Sequence, residues 1–207
     1  MNNDHIYQIY RSNNILDEKV LSVIRKVKRE DYVPEEYKKF SYCDISIPLD
    51  SGRVMLTPSC EAKILQNMEF HEKDNVLLVG TGSGYLVECI SDLVFSVTAY
   101  ECDASLHEFG VRNLDLHSNN RDKLHLYNDN ILNVTDKIQE YNKVVFTCSV
   151  KTYDFFLDYL SENSKVFLFL WQDRSPYSQG MILNKLRNGY TVKKNIVTSQ
   201  TNLIKDN

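Results

Sequence analysis

An α/β fold built on a doubly wound, mostly parallel sheet is what this chain predicts, and three observations carry that expectation. From residue 75 onward, apolar runs of strand length alternate with amphipathic segments of helix length. One of those runs, Val76-Leu77-Leu78-Val79, passes straight into Gly80-Thr81-Gly82-Ser83-Gly84-Tyr85, a turn with glycine at three alternate positions. Near the end, two segments of alternating pattern flank Asn188-Gly189, a strong two-residue hairpin signal, so an antiparallel hairpin should close the sheet.

The elements follow in order. Leu16, Val20, Val23, Ile24 and Val27 fall at i, i+4, i+7, i+8 and i+11, one face of an N-terminal helix that exits through Lys28-Arg29 before Val33-Pro34. A second helix runs from Ser59 to Phe70, with Ala62, Leu65 and Met68 on one face and Ser59 as its expected N-cap after Pro58. The alternation then predicts strand 75–79, helix 83–92, strand 95–100, helix 104–116, strand 123–128, strand 143–148, helix 152–162 and strand 165–171. Lys143–Cys148 and Lys165–Leu170 are nearly continuous apolar runs, which places them at the sheet centre, covered on both faces. The residues from Ser199 to Asn207 are expected to fray.

Composition bounds the function. A chain of 207 residues suits a single domain: a helical and loop extension over 1–70 followed by a sheet core over 71–207. The formal charge of -4, with lysines and arginines spread along the sequence, gives no electrostatic support for nucleic-acid binding. Five cysteines at wide spacings, without a CxxC pair, argue against a disulfide framework and a zinc site. No HxxxH or HExxH spacing occurs among His5, His71, His107, His117 and His125, so no metal is expected. A polar N-terminus and the lack of a long apolar run give neither signal peptide nor membrane span, so a cytoplasmic location is expected.

The glycine turn carries the chemistry. Without a Cβ, glycine lets a ligand pack on bare backbone, and the N–H groups opening the next helix can face its polar atoms. A dinucleotide fingerprint needs a third small residue where Tyr85 stands, and a P-loop needs Lys-Ser or Lys-Thr where Tyr85-Leu86 follow. What remains is a nucleoside ligand without a diphosphate, which S-adenosylmethionine satisfies. Glu101 ends the strand Phe95–Tyr100, about 20 residues past the turn, where a carboxylate can accept hydrogen bonds from both ribose hydroxyls.

Three blocks together resemble one family. Arg29-Glu30-Asp31-Tyr32-Val33-Pro34-Glu35-Glu36-Tyr37, Ser41-Tyr42-Cys43-Asp44-Ile45-Ser46-Ile47-Pro48-Leu49 and Gly80–Tyr85 occur in the order of the protein-L-isoaspartate O-methyltransferase family, over roughly residues 20 to 170. The resemblance implies a class I methyltransferase (Rossmann-like) sheet, S-adenosyl-L-methionine as cofactor, and methylation of the α-carboxylate of isoaspartyl residues in protein repair. It also implies a cofactor site of Gly80, Thr81, Gly82, Ser83, Glu101, the neighbouring Cys102, and Asp129 and Asn130 in the Asn128-Asp129-Asn130 turn near the adenine.

Two positions depart from the family. Leu78 stands where an acidic residue usually lies near the cofactor's methionyl end. In the loop Gly52-Arg53-Val54-Met55-Leu56-Thr57-Pro58, Leu56 replaces the serine of the methyl-transfer site, a pattern that resembles a divergent bacterial branch. Transfer of a methyl from a sulfonium to a carboxylate needs alignment and exclusion of water more than a nucleophilic side chain, so the loss of one hydroxyl need not abolish it. Thr57 supplies a hydroxyl if the loop register differs, and is otherwise a small polar residue before Pro58. Arg53 is either a bidentate partner for an acceptor carboxylate or an exposed loop arginine. Cys102 and Cys148 carry no mark of a lowered-pKa thiolate. Trp171-Gln172-Asp173-Arg174 is a weak candidate for a substrate loop. Three functions therefore stay open: methylation of a protein or peptide isoaspartyl substrate, methylation of another small carboxylate, or a non-catalytic binding role.

Overall fold

A computed structural model describes residues 4–204, with side chains from residue 6 onward. The chain opens with two short helices, α1 (Asp4–Ser12) and α2 (Glu18–Lys26). The sequence pattern missed α1 because its start is polar, yet Ile6 and Tyr10, one turn apart, are buried. Asp17 caps α2, its Oδ1 accepting from Lys19 N at 2.8 Å and Val20 N at 3.4 Å. This cap starts the helix after Leu16, which is 64% exposed and off the expected apolar face, while Val20, Val23, Ile24 and Val27 are buried.

Two helical turns at 29–32 and 35–40 lead to a small ribbon of β1 (Ile47–Pro48) and β2 (Val54–Met55). Helix α3 (Pro58–Met68) follows, and its N-cap is Thr57, whose hydroxyl accepts from Cys60 N at 3.2 Å. The expected cap, Ser59, sits inside the first turn. Proline favours the first helical position, which pushes the cap one residue before it. Gln66 of α3 fastens the α1–α2 connection by accepting from Leu16 N and Asp17 N and donating to Asn14 O.

The main sheet contains β3 (Asn75–Val79), β4 (Ser96–Tyr100), β5 (Leu124–Tyr127), β6 (Lys143–Val150), β7 (Lys165–Leu170), β8 (Ser178–Leu186) and β9 (Gly189–Ser199) in the order β5-β4-β3-β6-β7-β8-β9. The first five are mutually parallel and the last two antiparallel, and β6 is the central strand. Helix α4 (Tyr85–Ser91) follows β3, and α5 (Ala104–His117) follows β4. The expected helix at 152–162 contracts to α6 (Asp154–Leu157), continued by tight turns in which Tyr159 N and Leu160 N donate three residues back.

The hairpin also differs in detail. Leu186 pairs with Gly189, so the two loop residues are Arg187 and Asn188, and Gly189 brings its left-handed backbone (φ 128°) to the start of the return strand. A bulge between Gly180 and Ile182 is absorbed at Asn195 (φ 60°). Both strands run farther than their apolar pattern suggested. As far as the last described residue, the chain beyond Ser199 is paired where fraying was expected: Ser149 N donates to Asn202 O and Ile204 N to Ser149 O, both at 2.8 Å, laying 201–204 beside the end of β6. Asn207 and its two neighbours lie outside the described residues.

Two apolar clusters cover the sheet. One joins the N-terminal segment and α3 to α5 with Val76, Leu78, Val97 and Val145. The other joins 131–138 and α6 with Leu77, Val79, Val144 and Phe146. The side-chain alternation of β3 therefore feeds both layers. Among the described residues, no helix is long and apolar enough to cross a membrane.

Candidate functional site

After β3 the chain turns toward β4 and α4, whereas β6 lies on the other side of β3, so the strand order reverses between β3 and β6. A crevice opens outside the carboxyl ends of the strands at such a point. Its floor is the glycine turn. Gly80 has φ 96°, and a Cβ there would lie 2.2 Å from Thr147 Oγ1, which donates to Gly80 O at 2.8 Å. Gly84 has φ 88° and presses on Leu114 of α5. These two glycines thus serve turn and packing, and of the three in the turn only Gly82 has room where a side chain would stand: its Cβ position meets nothing nearer than Leu49 at 3.8 Å.

Glu101 clasps that backbone. Its Oε2 accepts from Gly82 N at 3.1 Å and its Oε1 from Asp103 N at 3.2 Å, while Asn128 Nδ2 donates to Glu101 O at 2.8 Å. The carboxylate is 7% exposed and lines a cavity of about 250 Å³. Arg53, Gly80, Gly82, Cys102, Asp129 and Asn130 line it too, so seven of the sequence-predicted site residues meet in one place. Asp129 Oδ1 accepts from Asn130 N and from Asn133 Nδ2, and Asn130 caps the turn at 131–133 through Leu132 N, which holds the Asn128-Asp129-Asn130 corner rigid. Asp103 caps α5, and the Ser105 hydroxyl holds its carboxyl below the usual carboxylate range.

Other predicted residues fall elsewhere. Thr81 and Ser83 face an adjoining recess rather than the main cavity, together with Leu56 and Glu61. Thr57 lines neither space, since its hydroxyl is the cap of α3 and lies 3.2 Å from Ser59 Oγ. Trp171 pairs through its backbone with Val150 at the end of β6, and Trp171–Arg174 do not line the cavity. Cys148, at the cavity wall, has its thiol pushed up to about 12 by burial and by the charge of Glu101, and the same causes raise the Cys102 thiol. Both stay protonated and are poor nucleophiles near neutrality.

Sequence reasoning missed several lining residues. Leu49 and Leu106 form apolar walls, Tyr100 stacks on Tyr127 at 5.1 Å, and Thr201–Ile204 cover one side. No local motif marks the tail. It is brought in by main-chain pairing with Ser149, by the Ser149 hydroxyl joined to those of Ser178 and Thr201, and by Asn202 Nδ2 donating to Gly52 O at 3.4 Å.

The family model for protein-L-isoaspartate(D-aspartate) O-methyltransferase matches residues 1–197. The chain belongs to that family. A protein-L-isoaspartate O-methyltransferase of Petrotoga mobilis is 35% identical over 118 residues, covering 53% of this chain and 55% of that protein. One from Aliivibrio fischeri is 35% identical over 99 residues, covering 48% of each. The chain thus spans about half the length of the curated relatives it matches. Among solved structures, a Plasmodium falciparum family member in complex with S-adenosyl-L-homocysteine superposes over 100% of both chains with a TM-score of 0.83 at 18% identity. Another protein-L-isoaspartate O-methyltransferase, 14% identical, covers 99% of this chain and 66% of its own with a TM-score of 0.82. At such identities these structures establish the fold, a class I methyltransferase sheet.

Within the family, the first block quoted above has a structural role. Arg29 is 1% exposed, pairs with Glu61 through Nη1, donates to Leu56 O at 2.6 Å and stacks over the Tyr85 ring at 4.9 Å. Tyr32 packs edge-on against Tyr85 at 5.8 Å. Tyr85, which disfavours a dinucleotide reading of the turn, is therefore the socket into which the N-terminal block locks.

Proposed function

We propose that this protein is an S-adenosylmethionine-dependent methyltransferase that esterifies the carboxylate of isoaspartyl residues in proteins or peptides. The observation that carries the reading is the Glu101–Gly82 clasp at the reversal of strand order, in a chain of this family. The residues present fit the cofactor. Gly82 leaves space where a side chain would stand, Glu101 presents carboxylate oxygens at the cavity wall for vicinal hydroxyls, and Asp129, Asn130 and Ile131 offer a polar and apolar edge suited to a purine.

Bound there, S-adenosylmethionine supplies an electrophilic methyl group on a sulfonium, and its transfer to a carboxylate leaves an ester and a thioether with no proton to move. The chain therefore needs no general base, and its work is to orient the acceptor and exclude water. Arg53 lines the cavity and forms no ion pair among the described residues, which leaves its guanidinium available for the acceptor carboxylate. The ribbon β1–β2 and the 201–204 segment cover the site on two sides.

Leu56, apolar where the family usually has a hydroxyl, favours as a second reading a different small carboxylate as acceptor. Incubation with labelled S-adenosylmethionine and an isoaspartyl peptide, beside its aspartyl counterpart, tests the assignment. Base-labile label on the isoaspartyl peptide alone is expected. Cofactor binding without transfer would shift the acceptor to the second reading, and no binding of S-adenosylhomocysteine would overturn the enzymatic assignment.

A further inference from the structure

Of the buried carboxylates that take no part in this mechanism, one lies against the site. Glu61 lies in the first turn of α3, is 4% exposed, and is the acidic wall of a recess of about 50 Å³ that opens beside the glycine turn. The recess shares Leu49, Val54, Gly80, Gly82 and Thr147 with the main cavity, so the two adjoin. Arg29 Nη1 is the single side-chain hydrogen-bond partner of Glu61 among the described residues, and it engages Oε2. A carboxylate offers about four acceptor positions, so most of this one is left over.

Thr81 lies on the same recess. It is 5% exposed, and its Oγ1 is buried with no hydrogen-bond partner. A buried hydroxyl left without a partner costs stability, so such groups are normally satisfied. An under-used carboxylate and an orphaned hydroxyl on two residues that line one small space, beside Ser83, Thr147 and the apolar Leu49, Leu56 and Leu86, call for a compact cation with several N–H donors. The volume suits a group the size of an ammonium or one water.

We propose that Glu61 and Thr81 bind the α-ammonium at the methionyl end of the cofactor, an inference that rests on S-adenosylmethionine being the ligand of the main cavity. Strand β3 itself supplies no polar group on this face: Leu78 is fully buried in the cluster that α3 covers. The acidic partner comes instead from α3, and Arg29 holds it in place, acting as a positioning residue. Loss of the Leu78 position as a ligand and retention of cofactor binding are then compatible.

Isothermal calorimetry with two ligands tests this. S-adenosylhomocysteine carries the α-ammonium, and 5′-methylthioadenosine keeps the nucleoside and sulfur but lacks the amino-acid end. Glu61→Gln, which can still accept from Arg29, is expected to weaken S-adenosylhomocysteine about tenfold or more while leaving 5′-methylthioadenosine within about twofold. Thr81→Val should leave the melting temperature of the free protein unchanged or raised, because an orphaned hydroxyl is removed, yet weaken S-adenosylhomocysteine selectively. Equal losses for both ligands, or no loss for either, would overturn the proposal and leave the recess to a water. Wild-type protein that binds neither ligand would instead overturn the cofactor reading beneath it.

Discussion

At the scale of single residues, the site is held by short-range hydrogen bonds among groups that a ligand can then share. Glu101 accepts from Gly82 N of the glycine turn and from Asp103 N, which fixes the carboxylate in advance and would lower the entropy lost in the proposed ribose contact. The cysteines give a direct probe of this geometry. Burial pushes the Cys60, Cys89 and Cys148 thiols up to about 12, because it disfavours the charged thiolate. Cys102 is exposed at the cavity and Cys43 is partly exposed. Alkylation with iodoacetamide at pH 8, followed by peptide mass spectrometry, should therefore modify Cys102 and Cys43 before the buried Cys60 and Cys89. Saturating S-adenosylhomocysteine should slow the reaction of Cys102 and leave Cys43 unchanged; equal protection at both would contradict the placement of the ligand beside Glu101.

At the scale of elements, helix α3 shows how one capping residue separates two uses of a loop. Thr57 caps the helix and turns its hydroxyl away from the cavity, whereas Arg53, four residues earlier, lines it. Replacement of an N-cap threonine by alanine costs about 1 kcal/mol. Thr57→Ala should lower the free energy of urea unfolding by about that amount, with kcat/KM for methyl transfer changed by no more than about twofold. A large loss of turnover at unchanged stability would restore a catalytic role to this hydroxyl. The closing hairpin teaches a related lesson. Its period-2 pattern and Asn-Gly pair were legible, but the extension of β9 to Ser199 depends on pairing with Ser178, and the docking of 201–204 on Ser149, which is 52 residues from Thr201 in sequence.

At the scale of the whole molecule, the buried Arg29–Glu61 pair joins the N-terminal segment to α3 and to the glycine turn through Tyr85. Breaking a buried pair by removing one partner leaves an uncompensated charge, at a cost of about 3–5 kcal/mol. Arg29→Met should reduce unfolding stability by about that amount in urea titrations, and Arg29→Met combined with Glu61→Met should recover much of it. The double variant should still lose affinity for S-adenosylhomocysteine, since Glu61 is gone. A single variant as stable as wild type would show that the pair is not a structural tie.

The amino-acid sequence by itself determined the layering, the strand alternation, the central place of β6, the glycine turn and the place of Glu101 at the end of its strand. Each of these rests on interactions within a few residues or on burial patterns with a short period, which composition and spacing record directly. Only the tertiary structure decided that Gly82 alone of the turn's glycines has room at its Cβ position, that Thr57 is a cap, that the tail walls the site, and that Glu61 and Thr81 share a recess. Those facts depend on which distant segments pack against one another once both faces of the sheet are covered, and a side chain's neighbours across a packed layer leave no periodic mark in its own stretch of chain.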